Sequence, residues 1–224
     1  MKTLLILSTC ICRPSIHKIC YTKLFENIID CTVHFIINID PVAGLDNISQ
    51  LDTKIELEKL IHSAGHTSEF LISNKACFYE ATKAVTNIAR EKMMVNNNIG
   101  GILWFEDDKL FQKKAPIKNI LANDNCINEV HHFWKKSAQC PTFYPCFWGL
   151  NVAMKLFFPA FIYEISRDPE LAMMDYWRKN YKVNEYIVYY YISHTKDIGR
   201  EWQKNNAITK WTREAMNNKN VTYL

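Results

Sequence analysis

The chain of 224 residues is long enough for one sizeable hydrophobic core, and we expect a single domain over residues 1–224. Its 48% hydrophobic and 22% charged residues are typical of a globular protein rather than a disordered one. A net charge of +4 with scattered basic residues argues against a nucleic-acid partner, and the six glycines form no glycine-rich phosphate-binding loop.

Strand-like and helix-like patterns alternate through the first half of the chain. Four strands are predicted, at residues 3–8, 31–39, 69–73 and 100–105, and the second is expected to end at Asp40-Pro41. Three helices are predicted between them: over 15–29, from the capping box Thr53-x-x-Glu56 to Gly65, and after Asn74. This order is typical of an α/β protein with a mostly parallel sheet covered by helices on both faces.

The second half has fewer periodic signals. Asp168-Pro169-Glu170 predicts a helix start, because it combines a capping residue, a proline at the first position and an acid in the first turn. Residues 186–192 predict a strand, and Trp202 and Trp211 indicate a helix near the end of the chain.

One apolar segment, residues 143–163, has the length of a membrane span. Pro145, Asn151, Lys155 and Pro159 interrupt it, so we expect a buried or surface-docking segment, with peripheral membrane contact but no transmembrane span. Cys10-Ile-Cys12-Arg13 is a poor cleavage site for a signal peptide, so the first residues are interpreted as a strand. We expect a cytoplasmic protein.

Three consecutive acids, Glu106, Asp107 and Asp108, directly follow the fourth predicted strand. Like charges placed together at the end of a buried strand repel one another, and a divalent cation bridging to phosphate oxygens would offset that repulsion. An acidic turn or a helix cap is the alternative. Because ligands of parallel sheets bind at the carboxyl ends of the strands, we favour a metal site here.

The sequence ILWFEDD, a strand followed by an acidic triplet, resembles the DxD motif of glycosyltransferases with the GT-A fold. The EDD form is similar to that of the N-acetylglucosaminyltransferase I type, and the arrangement resembles a compact family-2-type enzyme. The resemblance implies a nucleotide-sugar-binding half at residues 1–108 and an acceptor-binding half at 109–224. The Asn-, Ile- and Lys-rich composition is typical of an AT-rich genome, and we expect a viral protein in the cytoplasm of a host cell.

The resemblance also implies a metal site for Mn²⁺ or Mg²⁺, with the ion bridging the two phosphates of a UDP-sugar donor. Asp108 would bind the ion directly, and Glu106 would face the ribose or the sugar. Asp107 occupies the variable place of the motif and is counted among the donor-binding residues. His194, in a late loop, would complete the metal site, since imidazole is a good ligand of Mn²⁺. An exposed loop histidine is the alternative for His194.

Three further donor-binding residues are implied at the ends of the first two strands. Thr9 and Arg13 follow the first strand, where the family contacts the nucleotide. Asp40 follows the second strand and matches the acid that, in this family, recognises the base or the ribose of the nucleotide. A turn residue before Pro41 is the alternative for Asp40, and a surface charge is the alternative for Arg13.

A carboxylate base is needed to deprotonate the acceptor hydroxyl in an inverting transferase. Asp175 is our first candidate, because helical spacing places it beside an apolar stripe, where an unused carboxylate is costly. A pair with Arg178 is the alternative, and Glu170 is the second candidate. Met174 stands where the family has the glutamate of a Glu-Asp pair.

Acceptor-binding residues are expected in the aromatic segment that begins near residue 143. Trp148 could stack on a sugar ring, and Gly149 opens this presumed acceptor wall. A role in the hydrophobic core is the alternative for Trp148. His131-His132 is interpreted as a pair of structural or surface residues.

The sequence therefore predicts a metal-dependent glycosyltransferase that moves a sugar to a glycan hydroxyl, with inversion as the expected course. Two alternatives remain: another Mg²⁺- or Mn²⁺-dependent nucleotide enzyme such as a nucleotidyltransferase, and an inactive carbohydrate-binding domain.

Overall fold

The computed structural model describes residues 2–28, 31–43, 48–115, 117–129, 145–163, 168–180, 186–190, 194–199, 201 and 205. The strands in these ranges are β1 (Thr3–Cys12), β2 (Thr32–Ala43), β3 (Thr67–Ile72), β4 (Ile99–Trp104), β5 (Lys109–Phe111), β6 (Cys126–Glu129), β7 (Cys146–Gly149), β8 (Ile187–Tyr190) and β9 (Thr195–Asp197). The helices are α1 (Pro14–Asn27), α2 (Gln50–Ser63), α3 (Phe78–Val95), α4 (Ile117–Ala122), α5 (Leu150–Val152), α6 (Phe158–Tyr163) and α7 (Pro169–Asn180), with a π-helical turn at Ala153–Phe157.

Seven strands form one sheet in the order β3-β2-β1-β4-β7-β6-β8. Strand β7 runs antiparallel to β4 and β6, whereas the other neighbouring strands are parallel. Strands β5 and β9 form a separate antiparallel pair. The predicted α/β architecture with a mostly parallel sheet is therefore confirmed.

Helices cover both faces of the sheet. Successive residues of its central strands point to opposite faces, and they are apolar on both faces. Leu4 and Ile6 of β1 pack in one buried cluster with residues of α1 and α2. Leu5 and Leu7 pack in a second cluster, on the other face, with residues of α3, the π-helical turn, α6 and α7. A strand buried on both faces reads as a continuous apolar run, which is the pattern that identified β1.

The first two strands are longer than the sequence predicts. Strand β2 continues through Pro41 to Ala43, so the prediction that it ends at Asp40-Pro41 is wrong. Pairing shifts from Cys10–Ile39 to Cys12–Ala43, so β2 contains a bulge around Pro41. A bulge tolerates proline because the ladder needs no N–H group there.

Two of the three helices predicted in the first half begin elsewhere than expected. Helix α2 begins one turn before Thr53, and its cap is Ser49, whose Oγ accepts a hydrogen bond from the Asp52 amide at 3.1 Å. Gly65, with a φ of 78°, follows the end of helix α2, as predicted. Helix α3 begins at Phe78 rather than directly after Asn74.

In the second half, helix α7 begins as predicted. The Glu170 amide donates to Asp168 Oδ1 at 2.9 Å. No helix among the described residues is long and apolar enough to cross a membrane. The predicted closing helix around Trp202 and Trp211, and the pair His131-His132, lie outside the described residues.

Candidate functional site

The carboxyl ends of β1 and β4 meet at the point where the strand order reverses. The chain first extends the sheet from β1 to β2 and β3, and then returns to place β4 on the other side of β1. Leu7 pairs with Trp104, so the residues that follow these two strands share one edge. Ligands of open α/β sheets bind outside the strand ends at such a switch point.

The inner part of this edge is a buried ion-pair group made by Arg13, Asp107 and His17. Arg13 donates to both carboxylate oxygens of Asp107, at 3.1 and 2.6 Å, and His17 Nε2 lies 2.7 Å from Asp107 Oδ2. Burial alone would raise the pKa of Asp107, but Arg13 and His17 hold it well below its usual range. Arg13 and Asp107 thus bind each other, rather than facing a ligand as the sequence had predicted.

The outer part of the edge is a carboxylate cluster, defined here as Glu106, Asp108 and Asp197, around Lys109. The Lys109 ammonium lies 2.7 Å from Asp108 Oδ1, 3.1 Å from Glu106 Oε2 and 3.4 Å from Asp197 Oδ2. Arg13 also reaches Asp108 Oδ2 at 3.3 Å. Glu106 and Asp108 remain 23% and 20% exposed, so their outer faces meet solvent.

Negative charge exceeds positive charge at this edge. Three carboxylates, at Asp107, Asp108 and Asp197, face the permanent cations Arg13 and Lys109, and Glu106 adds a carboxyl group that is mostly protonated at neutral pH. Burial raises the pKa of Glu106 to about 8, and the charges of Asp108 and Glu170 add to this although Lys109 opposes it.

The carboxylates at the outer face of this group are candidate ligands for a divalent cation. The described part of the chain brings no three His, Cys, Asp or Glu side chains together as a complete metal site. Mg²⁺, however, is usually held by one or two protein carboxylates together with substrate phosphates. The partly exposed pair Glu106 and Asp108, in surroundings with excess negative charge, provides such a partial ligand set.

The pair β5–β9 lies directly against Asp108. The Ile198 amide donates to the Asp108 carbonyl oxygen at 3.0 Å. A Cβ atom at Gly199 would lie 2.1 Å from Asp108 Oδ2, so only glycine allows this close approach. This segment also contributes Asp197 to the cluster, a residue that no motif in the sequence indicates.

His194 is not brought together with Asp108. In the β5–β9 pair Lys109 faces Asp197, and the Gln112 amide donates to the His194 carbonyl oxygen at 2.8 Å. His194 is therefore four residues along the ladder from Asp108, or about 13 Å. The sequence had predicted that both side chains would bind one metal ion.

Asp40 and Thr9 lie at the same sheet edge but in different surroundings. Asp40 is buried and accepts a hydrogen bond from Asn38 Nδ2 at 2.9 Å, and Ser73 Oγ donates to Asn38 Oδ1 at 2.8 Å. Thr9 is partly exposed and lies within β1, opposite Asn38, rather than after the strand as predicted. Asp40 thus belongs to an internal network, and the sequence could not show that its side chain points inward.

The ionisation of Asp40 predicts a pH-dependent stability. Burial raises its pKa from 3.8 to about 6, although hydrogen bonds from Ser73, Asn38 and the Cys77 amide lower it. The folded chain therefore holds this proton more tightly than the unfolded chain, and stability falls as the pH rises from about 4 to about 6, by about 2–3 kcal/mol. Urea denaturation at pH 4, 5, 6 and 7 should show this fall in the wild type and a smaller one in Asp40→Asn. Equal pH profiles for the two proteins would contradict the prediction.

A cleft of about 300 Å³ lies beside this network, at the carboxyl edge of β1 and β2. Its lining combines apolar side chains with the polar groups of Ser49 and Gln50; the lining residues are Cys12, Pro41, Ile48, Ser49, Gln50, Leu51 and Ile72. Gln50 Nε2 donates to the carbonyl oxygens of Ile39 and Ser73, which ties this cleft to the end of β2. A cleft with apolar walls and a few polar groups suits a planar organic ring.

Trp148 and Gly149 have structural roles instead of forming an acceptor platform. Trp148 is 1% exposed and lies in the core, with ring centroids 5.1 Å from Phe157 and 6.5 Å from Trp177. A Cβ atom at Gly149 would lie 2.5 Å from the Asn123 carbonyl oxygen. Neither residue presents a surface to a sugar, because β7 lies inside the sheet with helices packed against it.

Asp175 points to solvent, so the prediction that its carboxylate turns inward is wrong. It is 52% exposed and lies 3.8 Å from Arg178 NH1, the pair that had been the alternative. The buried face of α7 is formed by Ala172, Met173 and Trp177. Glu170, in the first turn of α7, lies close enough to Glu106 for its charge to raise the pKa of that residue.

No protein-family model and no curated protein sequence matches this chain.

Proposed function

We propose that this protein is a metal-dependent glycosyltransferase of the GT-A fold, which transfers a sugar from a UDP-sugar to a hydroxyl group of a glycan. The observation that carries the proposal is the partly exposed pair Glu106 and Asp108 at the switch point of the sheet. Its excess negative charge and its position after the central strand β4 support a cation–diphosphate site.

The residues at this edge would have three different roles in donor binding. Asp108 and Glu106 would hold Mn²⁺ or Mg²⁺, which when bound neutralises the charge of the leaving diphosphate. Arg13 and Lys109 hold these carboxylates in place from the protein side, through contacts of 3.3 Å and 2.7 Å to Asp108. The cleft beside Gln50 and Leu51 would take the base of the nucleotide.

Glu170 is the carboxylate best placed to act as the base, and it replaces Asp175 in this role. It stands at the beginning of α7, near enough to Glu106 for its charge to raise the pKa of that residue, whereas Asp175 lies on an exposed face of the same helix. In the transfer, Glu170 would accept the proton of the acceptor hydroxyl while the hydroxyl oxygen bonds to the anomeric carbon. The bond from that carbon to the diphosphate breaks, and the nucleotide leaves with the electron pair.

Glu170→Gln should abolish transfer, with a loss of at least about 100-fold, because an amide cannot accept the proton. The donor is first found by incubating the protein with Mn²⁺ and a panel of UDP-sugars, since a transferase slowly hydrolyses its donor and releases UDP. UDP formation is then measured for wild type, Glu170→Gln and Asp175→Asn with a panel of glycan acceptors.

The matched control is Asp175→Asn, a carboxylate on the same helix, which should keep near-normal transfer. Both variants should bind UDP as the wild type does, which separates catalysis from donor binding. Normal transfer by Glu170→Gln would reject the base assignment. Absence of UDP release from every donor, with or without acceptor, would count against the proposed function.

A further inference from the structure

Lys109 occupies the centre of the carboxylate cluster. Its side chain is 7% exposed, and its ammonium contacts three carboxylate oxygens at 2.7–3.4 Å. A cation of the chain itself thus lies where three carboxylates converge.

The ammonium also binds an oxygen atom that the proposed metal ion needs. Asp108 Oδ1 accepts a hydrogen bond from Lys109 at 2.7 Å, and Asp108 Oδ2 lies 3.3 Å from Arg13. A divalent ion approaching the cluster alone meets oxygens that are already paired and a positive charge beside them. A diphosphate would change this balance, because it supplies further oxygen ligands and negative charge.

We propose that Lys109 is a positioning residue that holds the carboxylate cluster together and prevents a divalent cation from binding before a nucleotide diphosphate is present. This inference rests on the proposed function, and it adds an order to donor binding: the cation enters together with the diphosphate. Lys109 itself touches neither donor nor acceptor in this scheme and acts through Glu106, Asp108 and Asp197.

The test measures Mn²⁺ binding to the protein alone, without nucleotide, by the loss of the electron paramagnetic resonance signal of free Mn²⁺. Lys109→Gln should bind Mn²⁺ at least tenfold more tightly than the wild type. Lys109→Arg, which keeps the charge, should retain the weak affinity of the wild type. The matched control is Lys196→Gln on β9, because Lys196 is exposed and contacts Glu201 at 3.5 Å. This control should not change Mn²⁺ binding.

A double variant separates competition at Asp108 from a change of net charge, and provides a second protein if Lys109→Gln folds poorly. Lys109→Gln with Asp197→Asn keeps the net charge of the cluster and still frees Asp108 Oδ1. It should also bind Mn²⁺ more tightly than the wild type. Wild-type affinity in these variants, with a thermal unfolding transition intact, overturns the proposal.

The donor site and the role of Lys109 are tested by different measurements. A wild-type protein that binds no UDP in the presence of Mn²⁺ would reject the donor site. The comparison of Lys109→Gln with the wild type uses Mn²⁺ alone, so it reports only on the role of Lys109.

Discussion

Replacing Arg13 by methionine should lower the free energy of unfolding by about 3–5 kcal/mol, because it leaves the charge of a buried carboxylate without its main partner. Arg13 and Asp107 are 5% and 6% exposed, and two hydrogen bonds, at 2.6 and 3.1 Å, join them. His17 also contacts Asp107 but does not replace the guanidinium. Urea denaturation at pH 7, followed by circular dichroism, measures the loss.

Two comparisons distinguish a buried pair from an ordinary surface pair. Arg13→Met combined with Asp107→Asn removes both charges, and it should be more stable than Arg13→Met alone. Lys23→Met breaks the exposed pair of Lys23 and Glu26 on α1, and it should cost less than about 1 kcal/mol. A loss below about 1 kcal/mol for Arg13→Met would show that the pair does not anchor the end of β1 to the end of β4.

The second large effect is expected in nucleotide binding. Asp108→Asn should weaken the binding of UDP in the presence of Mn²⁺ by at least about 100-fold, since an amide is a poorer ligand for a hard cation and carries no charge. Asp108 is the member of the cluster that contacts Lys109, Arg13 and the chain at Gly199. Isothermal titration calorimetry measures the affinity.

The control for this substitution lies at the opposite edge of the sheet. Asp124→Asn removes a partly exposed carboxylate that pairs with Lys2, just before the start of β1. It alters net charge by the same amount as Asp108→Asn, but should leave the affinity for UDP unchanged. Equal losses in the two variants would point to a general charge effect and would contradict a specific role of Asp108.

Much of the fold follows from local patterns in the sequence. The alternation of apolar runs and helical stripes predicts β1 to β4 and the helices on both faces, because each element buries its own apolar residues. The same reasoning places the acids after β4 at the carboxyl edge. It does not predict the bulge at Pro41 or the cap at Ser49, since these depend on how β1 and β2 pair and on where α2 meets the sheet.

The arrangement of the site depends on contacts between distant parts of the chain. Lys109 and Asp197 come together only because β5 pairs with β9, and no short sequence motif predicts that pairing. Trp148 is enclosed because β7 lies between β4 and β6, a neighbour relation that an aromatic-rich sequence does not reveal. His17 did give a signal, since it follows Arg13 by one helical turn and therefore faces the same partner.

Helical periodicity did not predict correctly which face of α7 is buried, and Asp175 was therefore placed on the wrong face. The spacing around Asp175 placed it beside an apolar stripe, but the stripe that packs in the core is centred on Met173 and Trp177. Which side of a short helix faces the core is set by its neighbours, here α6 and the π-helical turn. The first turn of α7 carries Glu170, whose charge acts on Glu106 of the carboxylate cluster.

The most direct test of a cation–nucleotide site at this edge is calorimetric titration of UDP into the wild-type protein, once with Mn²⁺ and once with EDTA. We expect binding with Mn²⁺ and none with EDTA, and binding by Asp108→Asn that is at least about 100-fold weaker in the presence of Mn²⁺. Equal affinity in the two buffers, or no binding of UDP or any other nucleotide in the presence of Mn²⁺, would contradict it.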